Sequence, residues 1–191
     1  MAALAHSAGL PFPETTAFPT LGGLSDATTD LTRPLVVKSR HSRRHDLVAR
    51  VDSAVRLRAL AADWAQEPVV VQPFADNSGQ DHKLWVVGDQ VFAALRPSEL
   101  ASTGRGPTVS LPLGELPAGW IDLVREVGAV FALDVYGVDI VDTGDGTPVI
   151  VDVNAFPGIR DQEGAPEALA ALVLRTATGD RARATGAHPP S

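Results

Sequence analysis

The chain has 191 residues, 45% of them hydrophobic, a formal charge of −7 and no cysteine. Its length supports a real core in one large domain or two small ones, and the missing cysteines exclude disulfides, Cys-based zinc sites and thiol nucleophiles. No apolar run approaches the ~18 residues of a membrane span, the acidic balance argues against general nucleic-acid binding, and the N-terminus lacks the basic region of a secretory signal, which points to a cytoplasmic protein.

In chain order, MAALAHSAG reads as the last turns of a helix ending at Gly9, followed by extended LPFPET. FPTLGGLSDATTDLTR is turn-rich and has room for one short helix. PLVVK makes a short strand with Lys38 at its end. A helix follows from Asp52, the expected N-cap, to about Ala65, with Leu57, Leu60, Ala61 and Trp64 on one face. VVVQPF, from Val69 to Phe74, is a buried-type strand, and LWVVGDQVFAALR folds back at Gly88-Asp89 as a hairpin. Residues 97–117 have no periodicity and read as a long loop. A second long helix is expected from Ala118 to Leu133, packing through Ile121, Val124, Gly128 and Phe131. The last helix runs from Pro166 to Thr176, and the tail from Gly179 to Ser191 has little to bury and is expected to be disordered. The order of elements is α+β, with a second half that is mainly antiparallel.

The most informative stretch is GVDIVDTGDGTPVIVDVNAFPG, residues 137–158. Asp145-Gly146 between two apolar strands is a strong hairpin signal. A two-residue turn there places Asp139 directly opposite Asp152, and alternation puts Asn154 on the same face. Opposed like charges are destabilising, so two carboxylates and an amide oxygen on one face call for a hard cation, and Mg²⁺ favours such ligands together with substrate phosphates. Mn²⁺ is the alternative ion. Val138, Ile140, Val149, Val151 and Val153 would form the opposite, core-facing side.

Residues 38–50, KSRHSRRHDLVAR, hold five Lys/Arg against one Asp and two histidines, a basic segment suited to a polyanion. Only two lysines, Lys38 and Lys83, occur beside fourteen arginines. Where a point charge rather than a planar fork meets phosphate, lysine is the suitable side chain.

The strand ending in Lys (PLVVKS), the strand ending in Gln (VVVQPF), G-x-D-x-K with its VVG hairpin, GVDIV and VIVDVNAFPG together resemble an ATP-grasp domain over residues 8–176. Two branches share these features: the glutamate-ligase-like carboxylate–amine ligases and the ATP-grasp inositol phosphate kinases. The resemblance implies two α+β subdomains clasping ATP: a small lid subdomain at 1–71 and a large one at 72–178 with the metal site. It implies that Lys38 reaches the ATP phosphates, with His45 as a weaker phosphate contact. The backbone at Val71, Gln72, Pro73 and Phe74 would meet the adenine edge, with Asp81 and Lys83 near ribose and phosphates. Arg96 would face the transferred phosphate or the acceptor, with Lys83 as its catalytic companion, and Asp139, Asp152 and Asn154 would hold Mg²⁺. The loop from Asn154 to Asp161 would lie near the acceptor, where Arg160 binds an anion.

The chain departs from the family pattern in its lid, Ser39 to Asp46, which contains no glycine, and in lacking the family's N-terminal α/β domain, so the expectation is a truncated form, a misplaced start, or an oligomer or partner that supplies the missing part. The implied activity is phosphoryl transfer to a small anionic acceptor, a carboxylate then attacked by an amine or, alternatively, the hydroxyl of a phosphate-bearing acceptor. A non-catalytic nucleotide-binding module is the competing class, and a calcium-stabilised hairpin lacks the spacing of a calcium loop.

Overall fold

The computed structural model describes residues 1–41, 45–98, 100, 106–144 and 146–179. Two antiparallel sheets divide these residues. The first has the order β1-β4-β2-β3 and is built from β1 (Thr16–Phe18), β2 (Leu35–Ser39), β3 (Val48–Val51) and β4 (Val69–Pro73). Helices α2 (Leu21–Ala27) and α3 (Ala54–Trp64) cover one of its faces. Their Leu21, Leu24, Leu57 and Ala61 meet Val37, Val51, Val69 and Val71 in one core. The α3 N-cap is Ser53, whose Oγ accepts from the Arg56 amide at 3.2 Å, one residue beyond the Asp52 expected.

The second sheet has the order β7-β6-β5-β8-β9. Its strands are β5 (Gln80–Val87), β6 (Gln90–Pro97), β7 (Val109–Ser110), β8 (Val135–Asp142) and β9 (Pro148–Ala155). Val87 pairs with Gln90 across Gly88-Asp89, with Gly88 at φ +64°, as the hairpin pattern requires. Helix α4 (Trp120–Phe131) packs Trp120, Val124 and Val127 against Leu84, Val86, Val138, Ile140, Ile150 and Val153. The N-terminal helix α1 (Ala2–Ser7) joins this second core through Ala5, and Leu10 follows it in, although the chain then crosses to the first sheet. The Pro11 carbonyl accepts from the Ile150 amide at 2.8 Å. The first residues of the expected small subdomain thus pack with the large one, and β4 runs two residues past the expected boundary at 71. The stretch expected as one loop from 97 to 117 contains the short strand β7 and a single helical turn at Leu113–Glu115; residues 99 and 101–105, like the tail from 180, lie outside the described residues.

The opposite face of the second sheet is shared. Helix α5 (Ala165–Ala177) packs against β5 and its turn at Gly88, where Leu172 and Arg175 approach, burying its own Ala165 and Ala168. The other end, with Asp81, Lys83, Arg96, Asp139 and Asp152, is left to face the first sheet.

The β8–β9 hairpin reaches its expected outcome by a different route. Near the loop, Asp142 pairs with Pro148, Val141 with Val149 and Ile140 with Ile150. This is one residue out of the register that a two-residue turn at 145–146 dictates. Asp142 Oδ1 organises the wider loop, accepting from Gly144 at 2.8 Å and Gly146 at 3.1 Å; residue 145 lies outside the described residues. A bulge between Asp139 and Ile140 then takes up one residue of β9, and Asp139 faces Asp152 after all. Ile150, rather than the expected Val149 and Val151, is therefore in the core, while Val149 and Val151 line the cleft.

Gly128 marks the tightest helix–sheet approach. A Cβ there would lie 2.3 Å from the Tyr136 hydroxyl and 2.6–2.7 Å from its ring. That hydroxyl donates to the Val124 carbonyl at 2.9 Å, and burial pushes it up to about 12. Gly128→Ala should therefore destabilise the domain by about 1–3 kcal/mol despite the better helix propensity of alanine. Urea denaturation checks this: a midpoint at or above that of the unaltered chain would contradict the packing.

Candidate active site

A cleft of about 360 Å³ runs between the two sheets. Lys38, at the end of β2, enters it from the first sheet, and Asp81, Lys83, Arg96, Asp139 and Asp152 enter from the second. Both lysines of the chain therefore line one cleft, although they are 45 residues apart in sequence and on different sheets. Cross-strand pairing explains the second cluster. Lys83 lies opposite Asp139 on β8, Arg96 on β6 lies opposite Asp81, and Asp139 lies opposite Asp152. Neighbouring strands thus carry acid and base side by side on one face.

Lys83 Nζ donates to both Asp139 oxygens, at 2.6 and 2.5 Å. The Arg96 guanidinium lies 3.7 Å from Asp81 and 4.0 Å from Asp139. Among the described residues no cation lies within 4.0 Å of Asp152. Its side chain opens to the cleft, yet the surrounding walls displace water and, with the Asp139 charge, push its carboxyl above the usual range. Asp81 is also raised, chiefly by burial, against a hydrogen bond from Ser98. Burial lowers the Lys38 amine, opposed by Asp152, Asp139 and Asp81 in that order.

The donor set suits a hard cation in part. Asp139 and Asp152 present carboxylates to one another, and Mg²⁺ is commonly held by one or two carboxylates with phosphates and water completing the shell. Asp139 is shared with Lys83, so an ion here would compete with or sit beside that amine. Asn154 follows on the same face of β9, opposite Gly137, but is exposed and outside the cleft lining. Among the described residues no group of three His, Asp or Glu is arranged to hold a metal.

Gln72, Pro73 and Phe74 line the cleft, whereas Val71 belongs to the first core. Gln72 is buried, with Nε2 donating to Thr15 at 2.9 Å, and the Phe74 amide is taken by the Pro34 carbonyl at 3.0 Å. That amide has no donor left for a ligand. His45 is exposed, at φ +62°, and outside the lining; its neighbours Asp46 and Val48 are in it. Residues 42–44 of the basic segment lie outside the described residues. Arg160 is exposed and also outside the cleft. Sequence reasoning missed Ser39, Ser98 and Leu100 in the lining. It also missed His82, which is half-buried edge-on to Trp120 at 4.9 Å. The period-2 pattern of β5 carried that signal, since His82 shares the face of Leu84 and Val86.

Residues 24–171 match the family described as the RimK-like ATP-grasp domain. The chain belongs to that family. It is 31% identical over 157 residues to "Probable alpha-L-glutamate ligase 2" of Hahella chejuensis, covering 74% of this chain and 50% of that protein. The protein of the same name from Shewanella sp. strain W3-18-1 is 34% identical over 103 residues, covering 51% and 33%. The chain thus spans half or less of the length of these relatives. Among solved structures, an ATP-grasp RimK domain protein from Sphaerobacter thermophilus superposes with a TM-score of 0.65 at 24% identity, covering 90% of this chain and 63% of that one. D-cycloserine synthetase DcsG superposes equally well, with a TM-score of 0.65 at 18% identity, covering 91% and 68%. The ATP-grasp α+β fold is therefore shared. No helix among the described residues of this domain is long and apolar enough to cross a membrane.

The raised Asp152 carboxyl has a consequence for stability. Its folded form holds a proton more tightly than the unfolded chain, so the stability it contributes is present at low pH and is lost as pH rises through its folded value. At neutral pH the ionised group is a net cost, discounted because solvent reaches it. Asp152→Asn should raise the melting temperature of the ligand-free domain by about 1–3 °C at pH 7. The gap should close as pH falls towards the ordinary carboxyl range of about 4. Thermal unfolding against pH checks this; a lower melting temperature for the variant at pH 7 would contradict it.

Proposed function

We propose that this domain binds ATP with Mg²⁺ in the cleft and serves carboxylate–amine ligation through an acyl phosphate. The convergence of Lys38, Lys83 and Arg96 with Asp81, Asp139 and Asp152 between two sheets carries the reading. Phosphoryl transfer needs positioning and charge neutralisation more than covalent chemistry from the protein, and this cleft offers three cations for that work. The name of the curated relatives, alpha-L-glutamate ligase, favours a carboxylate acceptor over a hydroxyl. A solved neighbour at 20% identity, the ligase PsnB, is described with a minimal precursor, Mg and ADP.

Asp139 and Asp152, with Asn154 beside them, would hold the Mg²⁺, which when bound neutralises phosphate charge. Lys38 would approach the nucleotide phosphates from the first sheet. Lys83 and Arg96 would face the transferred group, and their attachment to Asp139 and Asp81 fixes where those charges point. The acceptor carboxylate oxygen forms a bond to the γ-phosphorus as the bond to the β–γ bridging oxygen breaks, releasing ADP. An amine then attacks the acyl carbon, inorganic phosphate leaves, and the amine loses a proton as the amide forms. The acceptor is a small carboxylate-bearing molecule.

Calorimetric melting with ATP and Mg²⁺ tests the binding step. At a ligand concentration a hundredfold above Kd the domain should gain about 2.7 kcal/mol; the gain should largely vanish for Asp152→Ala and on adding a magnesium chelator. A chain that melts unchanged with the nucleotide would sink the proposal. Binding without ADP release, over a panel of amine–carboxylate mixtures, would leave a nucleotide-binding module instead.

A further inference from the structure

Val151 is the residue that the bulge leaves over. Between the pairs Ile140 with Ile150 and Asp139 with Asp152, it faces no partner on β8. Alternation breaks at the same point: Val149, Val151 and Asp152 all line the cleft, while Ile150 and Val153 are buried in the core. The Val151 carbonyl accepts from Lys38 Nζ at 2.7 Å, joining residues 113 apart in the chain and on different sheets. Lys38 itself is fixed at its root, paired with Val48 on β3 and Val70 on β4.

The choice of acceptor matters. Lys38 feels the charges of Asp152, Asp139 and Asp81, yet the hydrogen bond it makes goes to a neutral carbonyl. A direct pair with Asp152 would neutralise the Lys38 cation and the Asp152 carboxylate against each other. A carbonyl holds the ammonium in place and leaves the carboxylate's charge uncommitted, and a hydrogen bond with one charged partner is still a strong one.

We propose that Val151 is a positioning residue: its main-chain carbonyl, released from strand pairing by the bulge, holds the Lys38 amine across the cleft and sets how closely the two sheets approach. The proposal rests on Lys38 as the phosphate-facing cation of the function proposed above. Its test uses no nucleotide, so failure of ATP binding and failure of this tie are separate results.

Deleting Val151 is the decisive variant. Ile140–Ile150 would then be followed directly by Asp139–Asp152, so Asp152, Val153 and Asn154 keep their faces while the surplus residue is lost with its carbonyl; Val151→Gly controls for the loss of its side chain. Because the chain has just two lysines, trace acylation with acetic anhydride, read by mass spectrometry, compares Lys38 with Lys83 as an internal reference. The Lys38/Lys83 labelling ratio should rise at least threefold in the deletion and stay unchanged in Val151→Gly, which keeps the carbonyl. An unchanged ratio in a deletion variant with native circular dichroism overturns the proposal. Should the deletion not fold, Lys38→Met on the intact hairpin gives the second reading by hydrogen exchange. Amides of residues 35–39 and 148–155 should exchange at least threefold faster while β5 is unchanged; rates there equal to those of the unaltered chain, or the same acceleration in β5, overturn it.

Discussion

Two carboxylates held face to face on adjacent strands are the constraint around which this domain is arranged. Asp139 and Asp152 repel one another wherever they are both ionised, and a sheet does not oppose like charges without compensation. The compensation is visible in three side chains. Lys83 clasps Asp139, Arg96 spans Asp139 and Asp81, and Lys38 approaches from the other sheet. Asp152 has no such cation within 4.0 Å among the described residues, and burial, with the Asp139 charge added to it, raises its carboxyl.

The fold supplies the cleft by leaving part of one sheet face uncovered. Helix α4 and the N-terminal helix seal the other face of the second sheet, with Trp120 donating to the Gly146 carbonyl at 2.8 Å to fasten the helix to the hairpin loop. On the open face, α5 stops short of the acidic end. The first sheet then closes over that end through contacts at its rim, among them Arg50 on β3, whose guanidinium stacks 4.0 Å above the Phe74 ring in the segment joining the sheets. An arginine over an aromatic face is attractive without demanding one fixed geometry, which suits a joint between two cores.

Most elements were legible because their signals were local: the 3.6-residue pattern of α3 and α4, the Gly-Asp turn, and the buried run before Gln72. The opposition of Asp139 and Asp152 was also legible, but through two errors that cancel. The loop is wider than the Asp-Gly pair implies, and the bulge restores the register it disturbs. Nothing in VIVDV betrays this, because a run of β-branched residues suits either face of a strand, and the pattern cannot say which valine is surplus. The docking of α1 and Leu10 into the second core was illegible for another reason. It depends on a contact between segments about 140 residues apart, such as Pro11 with Ile150, and no local period encodes it. His45 and Arg160 were placed by composition and family likeness alone, and both sit on the surface outside the cleft lining.

The division of labour among the cations follows from side-chain shape. Of sixteen Lys and Arg residues only two are lysine, and both meet their partners end-on, Lys83 between the two oxygens of one carboxylate and Lys38 at a single carbonyl. An ammonium is a compact charge that can point at one atom, whereas a guanidinium is a planar fork that bridges two groups. Arg96 does the latter between Asp81 and Asp139. Exchanging the types would therefore not be conservative: an arginine at position 38 would present a planar fork where the present side chain points one ammonium at the single Val151 carbonyl. The economy of lysine in the chain and the end-on contacts of Lys38 and Lys83 are, on this argument, two sides of the same geometric requirement.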